Sequence, residues 1–198
     1  MNPPNLKKPS PYRLLSSLGG IIYVWSLPLL ADLGFAQPGS TSISKFIANA
    51  PATGAMAAIS FIPMTLMWEY QDYTLSLKGY LSIERVWVVS LISFQFFYGL
   101  FLTCTDGIVP DWLHISTVVL FGCSFIFHSV IILVYIESRI ISKIILGIGI
   151  LSFIGLLMVQ DMWFWVLECI GFSSMLLFTP LEWMLIQNNL RINDYTLF

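Results

Sequence analysis

Six apolar stretches divide the chain, at residues 14–31, 50–68, 86–105, 114–136, 140–160 and 162–186, and the charged side chains fall almost entirely between them. A hydrocarbon core of about 30 Å takes about 20 mostly apolar residues to cross as a helix. Lipid offers no hydrogen bonds, so a crossing segment must satisfy its own backbone, which a helix does. None of the stretches alternates with period two, which argues against barrel strands. The pattern predicts an all-α, polytopic membrane protein: a six-transmembrane-helix bundle, one domain over residues 1–198.

The composition agrees. The 198 residues are 57% hydrophobic and 10% charged, against about 25% charge in a soluble domain. A net charge of −2 carries no nucleic-acid footprint. Lys7, Lys8 and Arg13 precede the first stretch, and Gly34-Phe35-Ala36 has the form of a signal cleavage site. The stretch is longer than a signal core of about 7–15 residues, so it reads as a retained helix.

Basic residues set the expected orientation. With six crossings both ends share a side, and of the nine lysines and arginines all but Lys45 fall on that side. Both termini are therefore expected in the cytosol. Asp32, Asp106, Asp111 and Asp161 then face outward or into a lumen, with His114 at their border. The fifth and sixth stretches are joined only around Gln160–Asp161, which predicts a tight antiparallel pair. The longest connections, 32–49 outside and 69–85 inside, are where function is expected to sit.

Two groups of residues stand out as chemistry inside apolar sequence. Glu168 lies about 9 Å into the sixth stretch, where a carboxyl marks either a functional site or a polar contact between helices. Glu182 follows close to four turns later, near the inner interface, and Thr179 and Gly171 lie near the same stripe. In the fourth stretch His114, Thr117, Phe121, Ser124 and His128 recur at helical spacing. The two histidines lie about 21 Å apart along the helix, with no titratable group between them. They read as interhelical hydrogen-bond partners, or His114 as a pH-sensitive contact with Asp106, Asp111 or Asp32. No metal spacing, phosphate-binding glycine loop or nucleophile elbow is present, so no cofactor, metal or catalytic residue is expected.

Other features are more local. Ser16, Gly19 and Gly20 in the first stretch, and Gly147, Gly149, Ser152 and Gly155 in the fifth, allow close helix packing. Pro28, Pro63 and Pro180 lie near stretch ends, and several tryptophans, among them Trp112 and Trp163, suit an interfacial belt. Cys104, Cys123 and Cys169 make no disulfide framework, although Cys104 and Cys169 fall near the same face. The tail Tyr195-Thr196-Leu197-Phe198 has two readings. Tyr195 and Phe198 fit a clathrin-adaptor sorting signal, and the same end fits a PDZ ligand.

The first outer loop reads Pro28-Leu-Leu-Ala-Asp32-Leu-Gly34-Phe-Ala-Gln-Pro38-Gly-Ser40. It resembles the lumenal Pro-x-Ile-Ser-Asp-x-Gly-x-x-x-Pro-Glu signature of the Frag/DRAM/Sfk superfamily, with Pro28, Asp32, Gly34 and Pro38 in register. Ala31 and Gly39 replace its serine and glutamate. Weaker similarities follow at Val109–His114, Leu120–Phe125, Glu168-Cys169 and Leu190–Ile192. The resemblance implies a six-span endomembrane protein, closest to the damage-regulated autophagy modulators, which are lysosomal. Other members act at the plasma membrane or in remodelling the lipid of GPI anchors.

Three functions are therefore expected, in this order. The first is a non-enzymatic regulator of the DRAM type, acting through membrane lipids or partner proteins and located in lysosomal rather than plasma or Golgi membrane. The second is a GPI-anchor remodelling factor in which Asp32, His114 and Glu168 gather around a headgroup. The third is a transporter or channel lined by Glu168 and the His114–His128 stripe. The loop itself, with a glycine turn and an aspartate able to bond nearby amides, is expected either to plug the outer face beside Glu168 and His114 or to bind a ligand.

Overall fold

The computed structural model describes residues 11–77, 84–135 and 140–195. These residues are helical and hold no strand. The helices are α1 (Pro11–Asp32), α2 (Ile43–Phe46), α3 (Ala50–Leu77), α4 (Glu84–Thr103), α5 (Asp111–Tyr135), α6 (Ile140–Gly155) and α7 (Met162–Tyr195). The all-α expectation holds. Among the described residues, Leu15–Asp32 and Asp111–Ile131 are long and apolar enough to cross a membrane. The apolar segments found among the described residues of the other long helices, Ala50–Phe61, Val88–Thr103, Ile140–Gly155 and Met162–Phe178, span 10–17 residues.

Helix length and apolar length part company at three ends. α3 and α7 continue well beyond the expected stretch ends at residues 68 and 186, because polar residues of good helical propensity extend a helix once it is nucleated. α6 stops at Gly155, short of the expected Gln160. There the chain tightens into bonds from Leu157 N to the Ile154 carbonyl (3.2 Å) and from Met158 N to the Gly155 carbonyl (2.9 Å). Asp161, at φ 55°, turns it into α7.

The connections α1–α3, α4–α5 and α6–α7 all lie at one end, where Thr41, Ser42, Ser44, Lys45, Asp106, His114 and Val159–Asp161 line a common cleft. The six long helices therefore run alternately up and down. α6 packs most extensively on α7, as the short connection predicts; α4 packs on α5, and α1 on both α3 and α7. At the α6–α7 contact a Cβ on Gly149 would overlap Ser174 Oγ. Glycine here is a requirement of approach, in keeping with the packing role expected of it.

The interior between α4, α5, α6 and α7 is aromatic. Phe121 sits at its centre, 5.3 Å from Phe101, 5.5 Å from Tyr98, 5.7 Å from Phe172 and 5.8 Å from Phe94 and Phe153 (ring centroids). The outside of the helices is apolar as well. On α6 the exposed residues include Ile140, Ile144, Ile148, Leu151 and Ile154, while the buried ones are Ser142, Leu146, Gly149 and Ser152. On α1 the exposed face carries Leu15, Leu18, Ile22 and Leu29, opposite a buried Ser17.

α1 contains Pro28, which has no amide to bond the carbonyl of Val24. Its last turn closes on Gly34, at φ 80°. Gly34 N donates to the Ala31 carbonyl (3.0 Å) and Phe35 N to the Leu30 carbonyl (2.8 Å), the paired bonds of a Schellman stop. This is the physical role of the Asp-x-Gly sequence: it ends α1 and directs the chain back over the bundle.

Candidate outer-face cleft

The returning chain forms α2, a single turn placed over the helix ends. Ser42 is extended (φ −145°, ψ 156°), and its Oγ accepts from Lys45 N at 3.2 Å, capping the turn. Ile43, Phe46 and Ile47 then project on one side and are buried. Phe46 meets Trp165 of α7 edge-on at 6.2 Å. Gln37 N donates to the Phe46 carbonyl (2.9 Å), and Thr53 Oγ1 of α3 to the Ile47 carbonyl (2.5 Å).

Glu168 anchors this insertion. Its side chain is 4% exposed, and Oε2 accepts from Ile43 N at 2.5 Å, across 125 positions of sequence. A buried amide at the head of a helical turn needs such a partner. The partner of Glu168 is the outer loop, where the sequence suggested a functional site or a bond to a neighbouring span.

His114 lies in the first turn of α5, whose start is set by bonds from Leu113 N and His114 N to the Pro110 carbonyl. Its Nδ1 is 2.8 Å from the Cys104 carbonyl and its Nε2 is 3.3 Å from Ser44 Oγ on α2. A carbonyl only accepts, so Nδ1 carries a proton, and in the neutral ring Nε2 presents a lone pair to the Ser44 hydroxyl. Ser44 Oγ also lies 3.1 Å from Ser42 Oγ. The expected contact of His114 with Asp106, Asp111 or Asp32 is not what the structure shows. Asp106 instead meets Lys45 at 3.6 Å, with the two side chains 24% and 51% exposed. That exposure limits the pair to less than about 1 kcal/mol.

Together these groups line a cleft of about 510 Å³ between α2, α5, the α6–α7 turn and α7. Ser42, Ser44, Lys45, Asp106, His114, Gln160, Asp161 and Glu168 supply its polar lining. Ile115, Val118, Val119 and Phe164 supply an apolar wall, of which Ile115 and Val119 are exposed on the outside of the bundle. No group of three or more His, Cys, Asp or Glu able to hold a metal occurs among the described residues.

The sequence motif and the site only partly coincide. His114 and Glu168 meet in the cleft, as the plug reading expects. Pro28 is inside α1, while Asp32, Gly34 and Pro38 are exposed and do not line the cleft. Of the three residues expected to gather around a headgroup, His114 and Glu168 line the cleft, while Asp32, the last residue of α1, does not. The lower part of the histidine stripe is packed, not open. His128 is 3% exposed, its Nδ1 bonds Ser90 Oγ at 2.9 Å, and its ring stacks on Phe94 at 5.7 Å. Phe94 also stacks on Phe121, at 5.8 Å.

Cys104, Cys123 and Cys169 are free thiols. The side chains of Glu182 and Tyr195, and Phe198 with its sorting or PDZ reading, lie outside the described residues, as do the side chains of the basic residues except Lys45 and Lys143. Ser42 and Ser44 were not singled out by sequence. The available signal was local: a serine cap followed by apolar residues at Ile43, Phe46 and Ile47, the spacing of one buried helical face. No family model, curated protein or solved structure matches the chain.

Proposed function

We propose that the chain is a six-span membrane protein of the DRAM type, with its termini in the cytosol, that works by holding a membrane lipid in the outer-face cleft. The observation that carries this reading is the composition of the cleft. Its polar end gathers His114, Ser44 and Glu168, and its apolar wall continues onto residues exposed on the outside of the bundle. A pocket of several hundred Å³ with a few convergent polar groups is the usual form of a ligand site. One open to the surrounding lipid suits an amphiphile. The apolar outer faces of α1 and α6 support the membrane setting, since exposed isoleucines and leucines are stable against acyl chains and costly against water. The loop resemblance at Pro28, Asp32, Gly34 and Pro38 supports the branch, and with it lysosomal membrane over Golgi or cell surface.

The test is lipid capture. Protein purified in native-lipid discs should release a stoichiometric lipid in mass spectrometry. Val119→Trp, which fills the cleft from the lipid side, should lower its occupancy. An unchanged lipid complement overturns the reading. Protease protection of tagged ends tests the crossings separately: a shielded terminus excludes an even number with cytosolic ends.

A further inference from the structure

We propose that Ser44 is a nucleophile activated by His114, and that the cleft accepts an acyl group from a lipid ester onto the Ser44 oxygen. The proposal rests on the lipid-binding reading and adds chemistry to it. Three features of one constellation carry it. Ser44 Oγ lies 3.3 Å from His114 Nε2, within the looser range that nucleophile and base show before substrate binds. His114 Nδ1, 2.8 Å from the Cys104 carbonyl, is held in the tautomer that leaves Nε2 free to take a proton. In serine hydrolases a carboxylate performs that orienting task; here a backbone carbonyl does, which fixes the ring with less stabilisation of the imidazolium. Finally, Ser42 Oγ accepts from Lys45 N and lies 3.1 Å from Ser44 Oγ. With Ser42 as the donor in that pair, the Ser44 proton is left for His114.

Both reacting side chains line the cleft, beside an apolar wall that suits an acyl chain. Lys45 and Gln160 line it too, and their N–H groups are the donors at hand for a developing oxyanion. Glu168 touches none of the reacting atoms; by holding Ile43 N it is a positioning residue for α2.

In the first step Ser44 Oγ bonds to the ester carbonyl carbon while its proton passes to His114 Nε2. The tetrahedral oxyanion then collapses, the bond from carbon to the alcohol oxygen breaks, and the proton on Nε2 goes to the departing alkoxide. Water or a lipid hydroxyl, deprotonated by the same nitrogen, attacks the acyl-serine in turn. It releases a free acid or a new ester and restores the hydroxyl of Ser44. The balance needs no other reactant.

The full-length protein in phosphatidylcholine nanodiscs is treated with a hexadecyl fluorophosphonate, which phosphonylates activated serines with loss of fluoride. The expected result is one adduct, mapped to Ser44 and absent in Ser44→Ala. His114→Asn keeps a donor for the Cys104 carbonyl but offers no base, and should label at least about a hundredfold more slowly, the scale of a lost general base. No adduct, an adduct elsewhere, or equal rates in wild type and His114→Asn overturns the proposal. Capture of a photoactivatable phosphatidylcholine at α5 and α7 is measured alongside. If capture persists without an adduct, only the nucleophile fails; if capture is also absent, the lipid reading fails with it.

Discussion

The thiol of Cys169 on α7 points at the carbonyl oxygen of Val24 on α1, with sulfur and oxygen 3.6 Å apart. That carbonyl is the one Pro28, four residues on, leaves without an amide partner. A proline in a helix thus becomes a contact between helices, since a buried carbonyl with no intrahelical donor recruits one from outside. Cys169→Val should cost about 1 kcal/mol, the net value of one hydrogen bond. In a Pro28→Ala background, where residue 28 supplies the amide, the cost should fall. A double-mutant cycle on unfolding free energy reads the coupling, and additivity of the two changes counts against the contact.

Docking of α2 should depend on an acceptor at position 168 and not on its charge. Glu168→Leu leaves the buried Ile43 amide without a partner, at a cost of about 1–3 kcal/mol. Glu168→Gln keeps an oxygen there and should cost clearly less. Amide exchange at residues 43–47 separates the two: fast in Glu168→Leu, near wild type in Glu168→Gln. Equal exchange in both would mean that α2 is held by Phe46 and Ile47 alone.

Gly34→Ala should be destabilising for a purely conformational reason. The space around Gly34 is open, with no atom within 4 Å of an added Cβ, but φ is 80°. The left-handed backbone costs a non-glycine residue about 1 kcal/mol. Gly34→Asn, whose side chain tolerates that region better, should recover part of the loss in thermal unfolding. A neutral Gly34→Ala would mean that the end of α1 rearranges at no cost.

Gly149→Ala should fail sterically instead. The added Cβ would overlap Ser174 Oγ and lie 3.0 Å from Ser174 Cβ. Overpacking of this kind costs about 1–3 kcal/mol. Ser174→Gly, which removes both atoms, should restore most of the loss. The loss should therefore be confined to the Ser174 background, measured as unfolding in mixed micelles. A loss that persists with Ser174→Gly would place its origin elsewhere on the α6–α7 face.

The order and nature of the helices were legible in the hydrophobic pattern, because a continuous apolar run leaves the backbone no partner but itself. Their lengths were not: the pattern measures apolar surface, while α3 and α7 run on past residues 68 and 186 on backbone propensity. The turn at Gly34 was legible too, since a tight reversal after a helix calls for a residue that can take positive φ. What only the tertiary structure decided is the site. Asp32, in the most recognisable part of the loop, stays at the rim, while Ser44, in its least remarkable part, is carried to His114. That placement rests on a bond between Ile43 and Glu168, far apart in the chain. A contact over such a distance has no local signature, because it exists only once the bundle has brought both of its ends to the same face.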